Sequence, residues 1–174
     1  TIIDRLPVSE VSEEQKTIAE AKARFFRGFA YRTLAYLYGG VPLLLTEVIE
    51  PKFDYVRASK EEVLRQALTD VEFAAAHLPS LSSVQDGEVS NAAAYHLLSE
   101  LYLATAQYQK AVDAATTVID DPATGLMYTR FGSRANELPG DVYWDLFRKN
   151  NQNRSSGNTE GIWVIQIETD TPGG

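Results

Sequence analysis

The chain has 174 residues, 44% of them hydrophobic, so it can build the core of one compact domain. Its 24 acidic and 16 basic side chains give a formal net charge of −8, which repels phosphate backbones and argues against a nucleic-acid partner. The absence of cysteine excludes disulfides, thiolate metal sites and a cysteine nucleophile within the chain.

The two ends of the chain indicate a fragment. The sequence begins abruptly at Thr1 and stops at Gly174 shortly after a strand-like run, so we expect a piece of a longer protein. Apolar runs such as 41–45 are far shorter than the ~20 residues that span a bilayer, and no secretory leader pattern opens the chain. We therefore expect residues 1–174 to form a single soluble domain or a fragment of one.

A long first helix is predicted from about residue 13 to residue 38. Apolar side chains recur there at helical spacing on two neighbouring faces, which implies burial on two sides. Gly39 and Gly40 then favour a left-handed stop, and Pro42 prevents the helix from resuming at once. An extended arm follows from residue 42 to residue 48.

A second helix begins near Ser59. Glu62 lies three residues later, which is the spacing of a capping box. Its apolar face consists of Val63, Ala67, Val71, Ala74 and Leu78. Pro79 ends the helix, so the first helical hairpin spans residues 13–79.

A second hairpin is predicted over residues 90–121. Ser90 is placed to cap a third helix, which breaks near residues 106–107. A fourth helix then runs until just before Pro122. Residues 122–174 are less regular: we expect a short helix at 141–147, a polar loop at 150–158 and one β strand at 162–167.

Helical hairpins in series are typical of tetratricopeptide repeats of about 34 residues. In the second hairpin Tyr102 and Tyr108 supply large side chains, and Ser99 and Ala111 supply small ones, as such repeats require for close helix packing. The connection at 39–58 is too long for an ordinary repeat. The predicted fold class is mainly α, with tetratricopeptide-like hairpins followed by a short strand-bearing, loop-rich portion.

Several segments, taken in order, resemble the SusD/RagB family of bacterial surface glycan-binding lipoproteins. The resemblance extends over roughly residues 19–167. The segments that carry it are RFFRGFAY at 24–31, LYGGVPL at 37–43, RAS at 57–59, LP at 78–79, VSNAAA at 89–94, LSELYL at 98–103, QY at 107–108 and NTEGIW at 158–163.

The resemblance implies non-catalytic capture of glycans or other nutrients at the cell surface. It also implies delivery of these ligands to a SusC-like, TonB-dependent transporter in the outer membrane. Family members are longer, carry a lipid anchor at the N-terminus and have a large loop-rich C-terminal region. On this resemblance the chain is the tetratricopeptide-like part, and the full-length protein is surface-exposed on the outer membrane through a lipid anchor that this chain lacks.

The richest candidate for oligosaccharide or polysaccharide binding is the segment 143–154. Sugars pack C–H groups on aromatic faces and exchange hydrogen bonds with amide and guanidinium groups, which loops commonly present. We expect ligand contacts from Trp144, Arg148, Asn150, Asn151 and Arg154. The alternative is that Trp144 belongs to the core and the loop is only solvated.

Two other sets of residues allow more than one interpretation. Arg24, Arg27 and Tyr31 lie along one helix; they either contact the transporter or satisfy buried carbonyls and carboxylates within the fold. Trp163 lies in the predicted strand, where alternation favours packing over ligand binding.

No catalytic residue, metal ligand or cofactor is predicted. His77 and His96 have no serine or cysteine partner in a recognisable frame. Asp141 and Asp145 lack the spacing of a calcium loop, and no glycine-rich phosphate loop is present.

Two rival functions stay open. The first is a repeat scaffold that binds a peptide or helix, although the 39–58 connection and the 158–163 segment are foreign to regular arrays. The second is a glycan-processing enzyme, for which the only motive is the aromatic, polar segment after Tyr143.

Overall fold

The computed structural model describes residues 1–167, which are mainly α-helical. The α helices are α1 (Ile2–Arg5), α2 (Glu13–Tyr38), α3 (Lys60–His77), α4 (Asn91–Ala104), α5 (Tyr108–Ile119) and α6 (Val142–Leu146). Short 3₁₀ helices are formed by Leu6–Val8, Leu81–Ser83 and Arg154–Ser156. None of the helices in this described part is both long and apolar enough to cross a bilayer.

Polar caps determine where the long helices begin. Ser12 accepts a hydrogen bond from the backbone N–H of Gln15, and the Gln15 side chain accepts one from Ser12, which pairs two otherwise free amides of α2. Ser59 and Glu62 form the same capping box at α3, as predicted. At its other end α2 stops at Gly39, whose φ of 71° suits glycine.

The four long helices pack in chain order, α2 on α3, α3 on α4, and α4 on α5. Small residues fill the contacts, with Ala67, Ala74 and Ala94 completely buried. Gly28 of α2 lies in such a contact, since an added β-carbon there would lie 2.5 Å from Cγ2 of Val71 in α3. This close packing of consecutive helices is the tetratricopeptide-like arrangement that the repeat pattern predicts.

The connection between α2 and α3, which includes the extended arm, is held on α2 by side chains. Arg27 donates from Nη1 to the carbonyl of Leu45 at 3.1 Å. The Tyr31 hydroxyl accepts from the Leu44 amide at 2.6 Å and donates to the Leu44 carbonyl at 3.2 Å. Arg27 and Tyr31 therefore satisfy backbone groups within the fold. This favours the structural interpretation of these residues over contact with the transporter.

The prediction of a β strand at 162–167 is wrong. The segment is extended, but within residues 1–167 no backbone ladder joins it to another segment. Ile162 and Trp163 instead pack on the helical core, and the Trp163 indole donates to the Gly87 carbonyl at 3.1 Å. Strand propensity reflects the fit of a side chain to a half-buried surface; here helices supply that surface. Residues 168–174 of the predicted irregular region lie outside the described residues.

Candidate functional site

Helix α6 exposes two aromatic rings on one face. The Asp141 side chain accepts from the Trp144 amide at 2.7 Å and so starts the helix. Tyr143 is 70% exposed and Phe147 69% exposed. Their ring centroids are 5.0 Å apart with an interplanar angle of 61°, because residues four apart lie on the same side of a helix. The pair offers apolar ring surface to solvent.

Trp144, on the same helix, is half-buried. The Cζ atom of Arg148 lies 3.1 Å from its ring centroid, and a β-carbon at Gly140 would come within 2.1 Å of the ring. The Nε atom of Arg148 is buried and has no hydrogen-bond partner among residues 1–167. A partly exposed guanidinium that is held in place on an aromatic ring is suited to a ligand oxygen.

The buried carboxylate of Asp145 connects α6 to Arg130 and Phe131. Asp145 is completely buried and accepts hydrogen bonds from Nε and Nη2 of Arg130 and from the Phe131 amide. The Arg130 guanidinium lowers the pKa of the Asp145 carboxyl below its usual value. Because Asp145 pairs with Arg130 and Asp141 caps α6, these two carboxylates are engaged within the fold.

Asn151 is also completely buried. Its Oδ1 accepts from the Ser133 amide at 3.2 Å, and its Nδ2 donates to the carbonyls of Phe131 and Asp145 at 3.3 and 3.0 Å. Its amide is thus used inside the fold, where it joins the 131–133 turn to α6. This geometry favours a positioning role for Asn151 over direct ligand contact.

The other two predicted residues differ in their surroundings. Asn150 is exposed beside the α6 surface and has a positive φ of 72°. Arg154 begins a 3₁₀ helix and donates weakly to the Gly161 carbonyl at 3.4 Å. It lines an open cleft of about 530 Å³ together with Gln85 and Asp86. The structure thus brings Trp144 and Arg148 together, sets Asn151 beneath them and places Arg154 against the 81–88 loop.

Phe147 and the Arg130–Asp145 pair are not among the site residues predicted from the sequence. The four-residue spacing of Tyr143 and Phe147 was the available signal for an exposed pair. Arg130 and Asp145 are fifteen positions apart, and no local pattern connects them. Within residues 1–167 no group of three or more His, Asp or Glu side chains is arranged to hold a metal ion.

The chain is similar to known proteins in sequence and in structure. A SusD-like family model, described as starch-binding and associating with the outer membrane, matches residues 1–103. A SusD-like protein from Bacteroides fragilis superposes with a TM-score of 0.79 at 23% identity, over 98% of this chain and 31% of that one. No curated protein sequence matches the chain.

Two further solved structures share the fold over a shorter range. One, named a laminarin-binding SusD-like protein, has a TM-score of 0.64 at 26% identity, over 74% of this chain and 30% of that one. Surface glycan-binding protein A from Bacteroides uniformis has a TM-score of 0.64 at 22% identity, over 73% of this chain and 30% of that one. The chain thus spans about a third of the length of these proteins. Because the family model matches more than half of its residues, this chain belongs to the SusD-like family.

Proposed function

We propose that this chain is part of a cell-surface protein that captures glycans without cleaving them and delivers them to a SusC-like, TonB-dependent transporter. Family membership supports this proposal, because the matching model is described as starch-binding and associating with the outer membrane. Two solved relatives carry the words laminarin-binding and surface glycan-binding in their names. In this proposal residues 1–174 belong to one larger domain, and a lipid anchor elsewhere in the full-length protein holds it at the cell surface.

The observation that carries the proposed site is the combination of open ring surface with a stacked guanidinium, at α6 and in the two residues that follow it. Tyr143 and Phe147 present exposed rings, on which the C–H face of a sugar can pack. Arg148 is only partly buried, and its guanidinium, stacked on Trp144, supplies N–H donors for which a sugar hydroxyl can be an acceptor. Asn150 adds an exposed amide at the edge of this surface.

The remaining predicted residues have supporting roles in the proposal. Trp144 orients Arg148 by stacking, and Asn151 holds the loop beneath. Arg154 contacts a neighbouring sugar unit of a longer glycan, in the cleft beside Asp86. The chain acts by binding alone, and no residue is assigned to bond cleavage.

A protein-interaction scaffold is the second candidate function. Helix α5 exposes a row of apolar side chains, which is the kind of surface that binds another helix or peptide. The row consists of Tyr108, Val112 and Ile119. This candidate predicts protein binding and no affinity for glycans.

Isothermal titration of the chain and of the full-length protein against soluble starch, laminarin, xylan and mannan tests the proposal. We expect binding of at least one polysaccharide without release of reducing ends. Tyr143→Ala and Phe147→Ala should each weaken it about tenfold, since each removes a large apolar contact. Tyr108→Ala is the matched control, because Tyr108 is a helical tyrosine of similar exposure, 66%, on α5.

The outcomes separate the candidates. Tight binding that is unchanged in both α6 variants would move the site away from α6. Failure of the full-length protein to bind any polysaccharide would favour the scaffold. Release of sugar, abolished by one carboxylate substitution, would instead establish an enzyme.

A further inference from the structure

A second concave site lies between α2 and α4. Both helices pack on α3 and barely touch each other, which leaves a groove between them. The extended segment at 161–164 covers part of this groove, and a cleft of about 230 Å³ remains. The cleft shares no lining residue with the α6 surface.

Aromatic rings form one wall of the cleft. Phe25 is almost completely buried, whereas Phe29 and Trp163 are partly exposed. The Trp163 ring meets Phe25 and Phe29 nearly at right angles, with centroid distances of 5.5 and 5.9 Å. These contacts fix the indole, which its hydrogen bond to the Gly87 carbonyl also orients. The wall is therefore rigid before any ligand arrives.

An ion pair forms the opposite rim. Arg32 of α2 donates from Nη2 to Glu100 of α4, and the Arg32 Cζ atom lies 5.0 Å from the Tyr36 ring centroid. The Nε atom of Arg32 is buried with no hydrogen-bond partner in the described part of the chain. Buried donors are nearly always paired in folded proteins, so the hydrogen-bonding capacity of Arg32 is not fully used by the described residues. His96, one helical turn before Glu100, completes the rim.

We propose that this cleft binds a single neutral pyranose ring, either a free monosaccharide or the terminal unit of a glycan. The proposal rests on the glycan-capture function and adds a second sugar site to it. The cleft is smaller than the roughly 300–1,000 Å³ of pockets for drug-sized ligands, which limits the occupant to about one ring. One face packs on Trp163 and Phe29, while hydroxyl groups accept from the Arg32 guanidinium and donate to Glu100.

The paired charges at the rim of the cleft favour a neutral ligand. The rim carries one positive and one negative group already paired with each other, so a charged ligand would have to displace a partner. A polyhydroxylated ring instead offers both donors and acceptors and leaves the ion pair intact.

The test is protein-observed ¹⁵N NMR of the chain titrated with methyl β-glucoside, β-galactoside, α-mannoside and β-xyloside. The two tryptophans give two indole signals, and the spectrum of Trp144→Phe assigns them. We expect at least one glycoside to shift the Trp163 indole signal saturably, with a Kd on the order of 1 mM, as befits so small a ligand. Sorbitol, an open-chain polyol, should leave the signal unchanged.

Two variants test the polar contacts, and a third serves as the control. Arg32→Lys keeps a positive charge opposite Glu100 but removes the guanidinium and its additional donors, and Glu100→Gln removes the charged acceptor. Each should weaken glycoside binding about tenfold. Glu20→Gln is the control, since it breaks the Glu20–Arg24 pair of the same helix and should leave affinity unchanged.

Absence of a Trp163 shift with every glycoside, or equal affinity in all three variants, overturns the proposal. A shift with sorbitol equal to that with the glycosides overturns the ring specificity. Polysaccharide binding that depends on Tyr143, without any Trp163 shift, rejects this cleft but not glycan capture. A Trp163 shift in a protein that binds no polysaccharide supports the cleft and rejects capture on α6.

Discussion

Arg27 of α2 donates two hydrogen bonds to the carboxylate of Asp70 in α3, from Nε at 2.7 Å and from Nη2 at 2.6 Å. Asp70 is completely buried, and Arg24 approaches it to 3.7 Å. Since Arg27 also donates to the Leu45 carbonyl, one guanidinium joins two helices and the arm that connects them. The hydrogen bonds to Asp70 raise the pKa of Arg27 above its ordinary value.

We predict that Arg27→Met lowers the free energy of unfolding by about 3 kcal/mol, because it leaves the Asp70 carboxylate buried without its main partner. Arg24→Met should cost about 1 kcal/mol or less, since its contact with Asp70 is longer and partly exposed. Urea unfolding followed by circular dichroism measures both. Equal losses in the two variants would contradict the leading role of Arg27.

Gly28→Ala should also destabilise the chain, by about 1–3 kcal/mol, although alanine is the better helix former. The new methyl group would lie 2.5 Å from Val71 Cγ2 and 3.1 Å from the Ala67 carbonyl oxygen, so α2 and α3 would have to separate. Adding Val71→Ala removes the closer contact. The double variant should therefore lose less stability than the sum of the single losses, and a simple sum would place the strain elsewhere.

The hydroxyl of Tyr102 makes the stability of the fold depend on pH in the alkaline range. It donates to Glu72 Oε1 at 2.8 Å, and burial together with this bond raises the pKa of Tyr102. Since the folded state holds the proton more tightly than the unfolded chain, the related stability is complete below about pH 10 and is lost as pH rises further. Tyr102→Phe should cost about 1 kcal/mol at neutral pH.

Urea unfolding between pH 8 and pH 11 provides the readout for Tyr102→Phe. The stability of the variant should fall less steeply above about pH 10 than that of the wild type. Parallel curves for the two proteins would mean that Tyr102 does not contribute to the alkaline loss.

The helices could be predicted because their signals are local. A cap such as Ser59 with Glu62 involves residues three apart, and an apolar face repeats every three or four residues. The Arg27–Asp70 pair joins positions 43 apart, so the sequence indicated only that Arg27 needed some partner. The extended run at 162–167 has strand propensity, but whether a second strand lies beside it depends on tertiary structure.

The Asp145 carboxylate makes the local stability of the α6 region depend on pH in the acidic range. Because its folded pKa is lowered, the related stability is present above the unfolded value of about 4 and is lost as pH falls through the folded one. We expect Asp145→Asn to increase hydrogen–deuterium exchange in peptides covering 128–151, where the Phe131 amide loses its charged acceptor. Peptides from α3 should stay protected.

Two comparisons sharpen the Asp145 experiment. Wild-type protein should show the same local increase only when the pH falls well below about 4 and passes the lowered pKa of Asp145, after correction for intrinsic exchange. Asp113→Asn, at an exposed position of α5 that accepts from Gln109, should not. Uniform loss of protection across the chain in Asp145→Asn would mean that the carboxylate stabilises the whole fold and not this region alone.

The residue types of the candidate site could be predicted from the sequence better than the way in which these residues are arranged. Trp144 and Arg148 are four residues apart, so their stacking follows from helix geometry. Asn151 has the same polar character as exposed Asn150, yet it is buried because Ser133, 18 positions earlier, turns back to meet it. Residue type indicates hydrogen-bonding capacity, whereas the direction in which that capacity is used depends on distant residues.

Trp144 offers the most direct test of the binding surface. We predict that Trp144→Ala weakens glycan affinity about tenfold and leaves the helical circular dichroism unchanged, because α6 has only five residues and Trp144 is not fully buried. If the ring acts by orienting Arg148, then Arg148→Ala should cause a similar loss, and the two substitutions together should cost little more than either alone. Additive losses would mean that the ring contacts sugar independently of Arg148. A loss of helix content would mean that Trp144 supports the fold, and the exposed Tyr143–Phe147 pair would then have to carry the aromatic contact.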